Sequence, residues 1–305
     1  MKDGLLLVDK QAGLTSHDVV ARFRRAAKIK KVGHTGTLDP LATGLLILCV
    51  GKTTRLQSFL MGLEKTYEGE IQFGWATDTY DAVGNAIGDP REVRVDEIDF
   101  SSVIGRFVGE IDQMPPPFSA KKVGGERAYE IARRGETPEL RAKRVTVYEL
   151  DIIRVSGSVA EFRVRCSAGT YLRSIAHDLG AAVGIGAHLK SLRRTVIGQF
   201  DVNQAIASEK LVAETGEALF AKPHFISLHE IDLPLAAVVI DPMQERKLLQ
   251  GQTVIVKPDV QTIRQNDLVT VSNLDDELIA IAQAVDVLRE GGGPVAIQPR
   301  VVLKD

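Results

Sequence analysis

The sequence predicts an α+β fold in two parts, and three observations carry that expectation. Apolar strand-like runs and amphipathic stretches follow one another without the regular strand–helix–strand alternation of a parallel sheet. Val145–Val155 and Val159–Cys166 are two strand-like runs separated only by a short turn around Ser156-Gly157, which calls for antiparallel pairing. Beyond Leu233 the pattern changes to short β runs divided by turns, the spacing of a small β-barrel.

The elements follow in order. Leu5 to Val8 reads as a short buried strand. Ser16 is placed to cap a helix whose apolar stripe is Val19, Val20 and Phe23, with Arg and Lys facing out. A glycine-rich loop around Asp39 leads into the strand Leu45–Val50 and a helix around Thr54–Leu60. Thr66–Phe73 alternates polar and apolar residues, as a half-buried strand does. Val95–Val108 reads as a helix stopped by Pro115-Pro116-Pro117. From 115 to 144 the chain is Gly-rich, charged and weakly periodic apart from Ala128–Arg134, which predicts an excursion from the sheet with one short helix. Tyr171–Val183 is helical, and Leu189–Phe200 holds another strand. Residues 205–230 carry little pattern and read as a bridge. The barrel strands would be Ala236–Ile240, Thr253–Val256, Leu268–Val271, Glu277–Val285 and Val295–Val302. The expected domains are therefore 1–230 and 231–305.

With 305 residues, 44% of them hydrophobic and 26% charged, the chain can bury two cores. No apolar stretch is long enough to span a bilayer, and the start, with Asp3 and Asp9, lacks a signal-peptide layout. Cys49 and Cys166 sit in apolar strand-like runs, so buried thiols are expected rather than a disulfide. The histidines show no metal-ligand spacing, and neither a dinucleotide fingerprint nor a phosphate-loop lysine is present. These features predict a cytoplasmic monomer that works without metal or cofactor. The net charge of −2 hides an asymmetry, since residues 1–200 carry 29 Lys and Arg against 24 Asp and Glu. Their cations cluster at Arg22–Lys31, Lys121–Arg144 and Arg163–Arg194, a distribution that fits a polyanion track.

The most informative segment is Gly33–Leu46, GHTGTLDPLATGLL. It holds one carboxylate, Asp39, with no other acid within twenty residues on either side. Asp followed by Pro is also how a helix start or a tight turn looks, with Asp at the cap and Pro at the first position of such a helix. Against that, Gly33, Gly36 and Gly44 free the backbone for close approach of a ligand, and an apolar strand follows. Such a carboxylate can act as a lone nucleophile.

The block GHTGTLDPLATGLLILCVGKTTR closely resembles the catalytic motif of the TruB family, the bacterial synthases that make pseudouridine at uridine 55 of the tRNA T-arm. The resemblance continues through LLLVDKQAGLTSHDVV, KTYEGEIQFGWATDTYDAVG, PPPFSAKKVGGERAYEIARRG, CSAGTYLRSIAHDLG and GAHLKSLRRTVIGQF, in the family's order, over most of residues 5–200. It implies the pseudouridine-synthase fold, a large mixed and mostly antiparallel sheet with the cleft across its face, and a PUA-like C-terminal domain. It also implies tRNA as the partner, through its T-arm stem-loop.

By the same match, Asp39 would be the nucleophile, attacking either C1′ or C6 of the target uridine. Arg173 would be its cation, Tyr67 would stack on the uracil, and Tyr171 and Leu192 would complete the pocket. His34 would fill the space left by the flipped base, although a hydrogen bond within its own turn explains it nearly as well. Asp81 would contact a binding residue rather than a metal, and Lys121 and Lys122 would touch RNA. Two other readings remain. A glycosidase using Asp39 would need a second carboxylate about 5–9 Å away, for which Asp78 and Asp81 are the near candidates. A non-catalytic RNA-folding protein could use the same basic cleft.

Overall fold

The computed structural model describes residues 2–119, 121–213, 216–257, 263–287 and 293–304. Two apolar runs without alternation, LLLV and LLILCV, form neighbouring strands toward one end of an eleven-stranded sheet. They pair antiparallel as Gly4–Lys10 and Thr43–Val50, Leu6 opposite Leu48. Both strands are buried on both faces, which is why the period of two is absent. On one face Leu6, Val8, Leu46 and Leu48 meet Val19, Val20 and Phe23 of the helix Ser16–Ala27. On the other, Leu5, Leu7, Leu45 and Ile47 meet Leu56 and Leu60, and then Leu278, Ile281 and Leu303 from the C-terminal part. Each such side chain contributes roughly 1.5–3 kcal/mol when fully buried.

The sheet continues from Thr43–Val50 through Ala187–Ile197, Lys65–Phe73, Val159–Cys166 and Lys143–Ser156 to Gly109–Gln113. All these neighbours are antiparallel except Ala187–Ile197 on Thr43–Val50, which is parallel over Arg193↔Thr43 and Arg194↔Gly44. That contact is tight. Gly44 has φ +97°, and a Cβ built on it would lie 2.2 Å from the Arg194 carbonyl oxygen. Gly44→Ala therefore meets both a disfavoured backbone and a backbone clash, and is expected to cost about 3 kcal/mol or more. A urea midpoint like that of the parent would show that the two strands can part at little cost.

Several local expectations shift. The helix cap is Thr15, not Ser16: Thr15 Oγ1 accepts from Asp18 N at 3.1 Å, and Asp18 Oδ2 accepts from Thr15 N at 2.8 Å. Ser16 is left to hold the Asp39 loop, accepting from Leu38 N at 2.9 Å. Of the two local readings of Asp39-Pro40 the turn holds and the helix start does not: Ala42 N donates to Asp39 O at 3.0 Å. Residues 95–108 hold only the short helix Ser101–Ile104 and a 3₁₀ turn, with Asp99 accepting from Ser101 N at 3.0 Å. Such side-chain bonds compete with a longer helix. The three prolines then follow a strand, Gly109–Gln113, rather than a helix. Residues 205–230 are not a mere bridge, because Ile206–Ala207 and Phe225–Ser227 both pair with the first strand.

The C-terminal expectation is met by a curled five-stranded half-barrel. Its order is Ala236–Val239, Leu268–Ser272, Leu278–Val287, Val295–Val302, Val254–Val256, around a core that includes Val238, Val269, Ile279 and Ile297. The helix Pro242–Leu249 was not expected, yet its signal is plain: Asp241 accepts from Met243 N and Gln244 N, both at 2.8 Å, with Pro at the first turn. Cys49 and Cys166 are buried free thiols, pushed up by burial to about 12 and about 11.

Candidate active site

Three neighbouring strands form the floor. Tyr67 on Lys65–Phe73 lies opposite Arg194 on Ala187–Ile197, and Arg194 lies opposite Gly44 on Thr43–Val50. The Asp39 loop folds over them and is held from below. Arg194, only 1% exposed, donates through Nε to Leu45 O at 2.7 Å and through Nη2 to Gly36 O at 3.1 Å. Lys10, fully buried, donates to Leu14 O at 2.7 Å and reaches Pro40 O at 3.5 Å. Burial lowers the Lys10 amine to about 8, with Asp39 opposing that shift.

Asp39 meets Arg173 at the rim. Arg173 Nε stands 3.0 Å from Asp39 Oδ2. The two sides of the pair differ in exposure, 9% for the guanidinium side chain and 45% for the carboxylate. A cation fixed in the wall thus presents an anion to whatever enters. Arg173 comes from the helix Leu172–Ala182, and its Nη1 donates to Thr79 O at 3.1 Å. Both Nη atoms donate to Phe118 O at 3.2 Å. Asp81 Oδ2 lies 3.7 Å from Nη1. Each of its three nitrogens therefore has a partner, which restricts the orientation of the guanidinium.

Around this pair lies a cavity of about 730 Å³. Tyr67, Tyr171 and Leu192 all line it, as do Asp39, Asp81 and Arg173. Tyr67 is 9% exposed with the Arg194 guanidinium 6.0 Å from its ring centre, and burial raises its phenol above the usual range. Tyr171 is fixed by Gln113, which accepts from its N–H at 2.8 Å and donates to its carbonyl at 2.9 Å. The arrangement offers an aimed carboxylate, an apolar and aromatic wall, and cations at the mouth.

Two sequence models match the chain. Residues 24–172 match the TruB family pseudouridylate synthase N-terminal domain, and residues 173–239 match the tRNA pseudouridylate synthase B C-terminal domain. The chain belongs to the TruB family. It is 40% identical over 290 residues to tRNA pseudouridine synthase B of Burkholderia pseudomallei, covering 92% of this chain and 93% of that protein. To the Aquifex aeolicus protein of that name it is 40% identical over 258 residues, 84% of this chain and 88% of the relative. Among solved structures it is similar to a chain of a Cbf5-Nop10-Gar1 complex, with TM-score 0.75, 29% identity and coverage of 99% and 85%. It is also similar to a chain of an H/ACA RNP bound to a substrate RNA containing 2′-deoxyuridine, with TM-score 0.74, 26% identity and the same coverage.

Within this TruB-family fold the remaining candidates separate. His34 lies outside the cavity lining; its Nδ1 accepts from Gly36 N at 3.4 Å and its ring sits 5.4 Å from that of His17. That is the bond within its own turn. Lys121 also lies outside the lining and donates to Arg141 O at 2.8 Å, while the Lys122 side chain is outside the described residues. Asp78 accepts from Asn85 N and Nδ2. Among the described residues no group of His, Cys, Asp and Glu is arranged to hold a metal.

Other lining residues were expected on the charged excursion rather than in the pocket itself. Tyr129 and Arg133, from the helix Ala128–Arg133 in the excursion, face the cavity, as does Lys143. Arg194 could have been suspected. Neighbours in a strand point to opposite faces, so one of Arg193-Arg194 must turn inward, and Arg193 is satisfied outside by Asp9 at 2.7 Å.

Proposed function

We propose that this chain isomerises a uridine of tRNA to pseudouridine, at position 55 in the T-arm loop, with Asp39 as nucleophile. One observation carries the reading: a half-exposed carboxylate held at 3.0 Å by a buried guanidinium, at the edge of a cavity with Tyr67 in its wall. The relatives' name, tRNA pseudouridine synthase B, supports tRNA as the substrate.

The chemistry follows from those parts. A base stacked inside folded RNA must be turned out into the cavity, at a cost of a few kcal/mol. Tyr67 stacks on it, and Tyr171 and Leu192 close the remaining sides. Asp39 attacks C1′ or C6 at the sugar–base junction, the C1′–N1 bond breaks, the base rotates, C1′ bonds to C5, and the bond to Asp39 breaks to return the free carboxylate. The C5 proton leaves and N1 gains one, so the product is an isomer of the substrate and no group is consumed. A glycosidase fits less well, because Asp81 is buried and its oxygens already face Thr79, Val83 and Arg173. Mapping pseudouridine in an unmodified tRNA transcript after incubation tests the reading, and a transcript unchanged at position 55 would sink it.

Residues 1–230 serve in this reading as the catalytic domain and 231–305 as a PUA-like domain. Support comes from the separate core of the five-stranded sheet, which includes Val238, Val269, Ile279 and Ile297. One cytoplasmic chain acts on one tRNA, so sedimentation should find a monomer.

RNA phosphates are expected along the excursion. Arg144 is already held by Asp112 at 2.8 Å, so Lys121, Arg141 and Lys143 are the better contacts. Replacing all three with Gln should weaken tRNA binding and flatten the log affinity–log salt slope by about 2, since each lost phosphate contact removes roughly 0.7–0.9. An unchanged slope would take the excursion off the RNA track.

A further inference from the structure

The loop that carries Asp81 packs on the helix that carries Arg173, and the contact between them is a stacked ring pair. His177 lies four residues after Arg173, one turn along the same face. Tyr80 lies flat on it, with ring centres 3.7 Å apart and planes 11° apart. The His177 Nδ1 is buried with no hydrogen-bond partner, so the ring is used for its face rather than for that nitrogen. Burial also lowers its pKa, which keeps the ring neutral near pH 7.

The backbone at Tyr80 is unusual. Its φ is +64°, a left-handed conformation that a bulky L residue enters only when its surroundings hold it there. Two contacts do so on one side, since Tyr80 O accepts from Leu189 N at 3.0 Å and Ala82 N donates to Leu189 O at 2.9 Å. The stack does so on the other. Asp81 sits between them. Its Oδ1 accepts from Thr79 Oγ1 at 2.6 Å and Val83 N at 3.1 Å, which turns Oδ2 toward Arg173. The preceding carbonyl, Thr79 O, accepts from the same guanidinium.

We propose that the Tyr80–His177 stack is a positioning device: it fixes the turn that sets Asp81 and Thr79 O against Arg173, and through Arg173 it sets the aim of Asp39. The proposal rests on the pseudouridine synthase reading. Neither ring touches the reacting atoms. Tyr80 needs only an aromatic face, whereas glycine would tolerate the backbone but lose the clamp.

The test is a double-mutant cycle on full-length protein with an unmodified tRNA transcript, following pseudouridine formation. Tyr80→Gly should lower kcat about tenfold and change KM less than about twofold, the pattern of an interaction that matters only for the chemical step. Tyr80→Phe, which keeps the ring, should stay within about twofold of the parent, and His177→Leu should fall as Tyr80→Gly does. In an Arg173→Met background, Tyr80→Gly should cost less than about twofold more, because both of its routes to Asp39, through Asp81 and through Thr79 O, pass through Arg173. A full further tenfold loss in that background would overturn the proposal. So would an unchanged kcat in Tyr80→Gly, a loss confined to KM, or a Phe variant as poor as the Gly one. A parent protein that makes no pseudouridine in the transcript would instead remove the functional reading itself.

Discussion

Asp39→Asn is expected to lower pseudouridine formation by on the order of 10³-fold or more while leaving fold and tRNA affinity nearly unchanged. The substitution keeps the shape of the side chain and removes only its charge. The side chain is 45% exposed, so no buried group is created. Arg173 is not stranded either, because Thr79 O, Phe118 O and Asp81 still receive its donors. Asp39→Glu is a sharper control. It keeps the charge but displaces the carboxylate by one methylene, and a nucleophile misplaced by about 1 Å can lose a hundredfold. Single-turnover rates beside filter-binding affinities check both variants. An Asn variant within tenfold of the parent, only about 1.4 kcal/mol of barrier, would remove Asp39 from the nucleophile's role.

The sheet was legible where burial is one-sided or complete. Thr66–Phe73 alternated and became Lys65–Phe73; LLILCV was wholly apolar and became a strand buried on both faces. The hairpin around Ser156-Gly157 declared itself by its turn. What failed was the reading of apolar residues without regard to side-chain competition. Val95, Ile98 and Val103 suggested one helix, but Asp99 accepts from the Ser101 N–H, so the helix starts only at Ser101. At the rim, spacing alone allowed Asp39 a helix start or a turn and placed Arg173 on a helix, with nothing to join them. Only the long-range meeting of two segments 134 positions apart gives them a shared purpose, and no local period encodes that. The family blocks placed them in the expected order, whereas Lys10 and Arg194, which hold the loop from beneath, drew no attention because a buried cation looks like a surface one in sequence. Lys10 falls on the same period of two as Leu6 and Val8, both of them core residues, and that was the clue.

Arg173→Met should cost more than any other single change outside Asp39. Arg173 is buried and gives its donors to two carbonyls and two carboxylates. Methionine fills much of the volume but leaves Thr79 O, Phe118 O and one face of Asp81 without a donor in the wall. The stability loss is expected at about 2–4 kcal/mol, most of it from those buried acceptors rather than from the half-exposed Asp39 pair. The rate should fall at least about a hundredfold, because the carboxylate loses both its counter-charge and its aim. Arg173→Lys separates the two effects. An ammonium can face Asp39 but cannot also span the Phe118 and Thr79 carbonyls, so its rate should lie between those of Met and the parent. Affinity for a T-arm minihelix should change less than about threefold in both, since phosphate contacts come from other cations. Were Arg173 an ordinary helix-face arginine, Met would cost within about half a kcal/mol in stability and leave turnover intact. If affinity and rate instead fell by the same factor, Arg173 would be holding RNA rather than aiming Asp39.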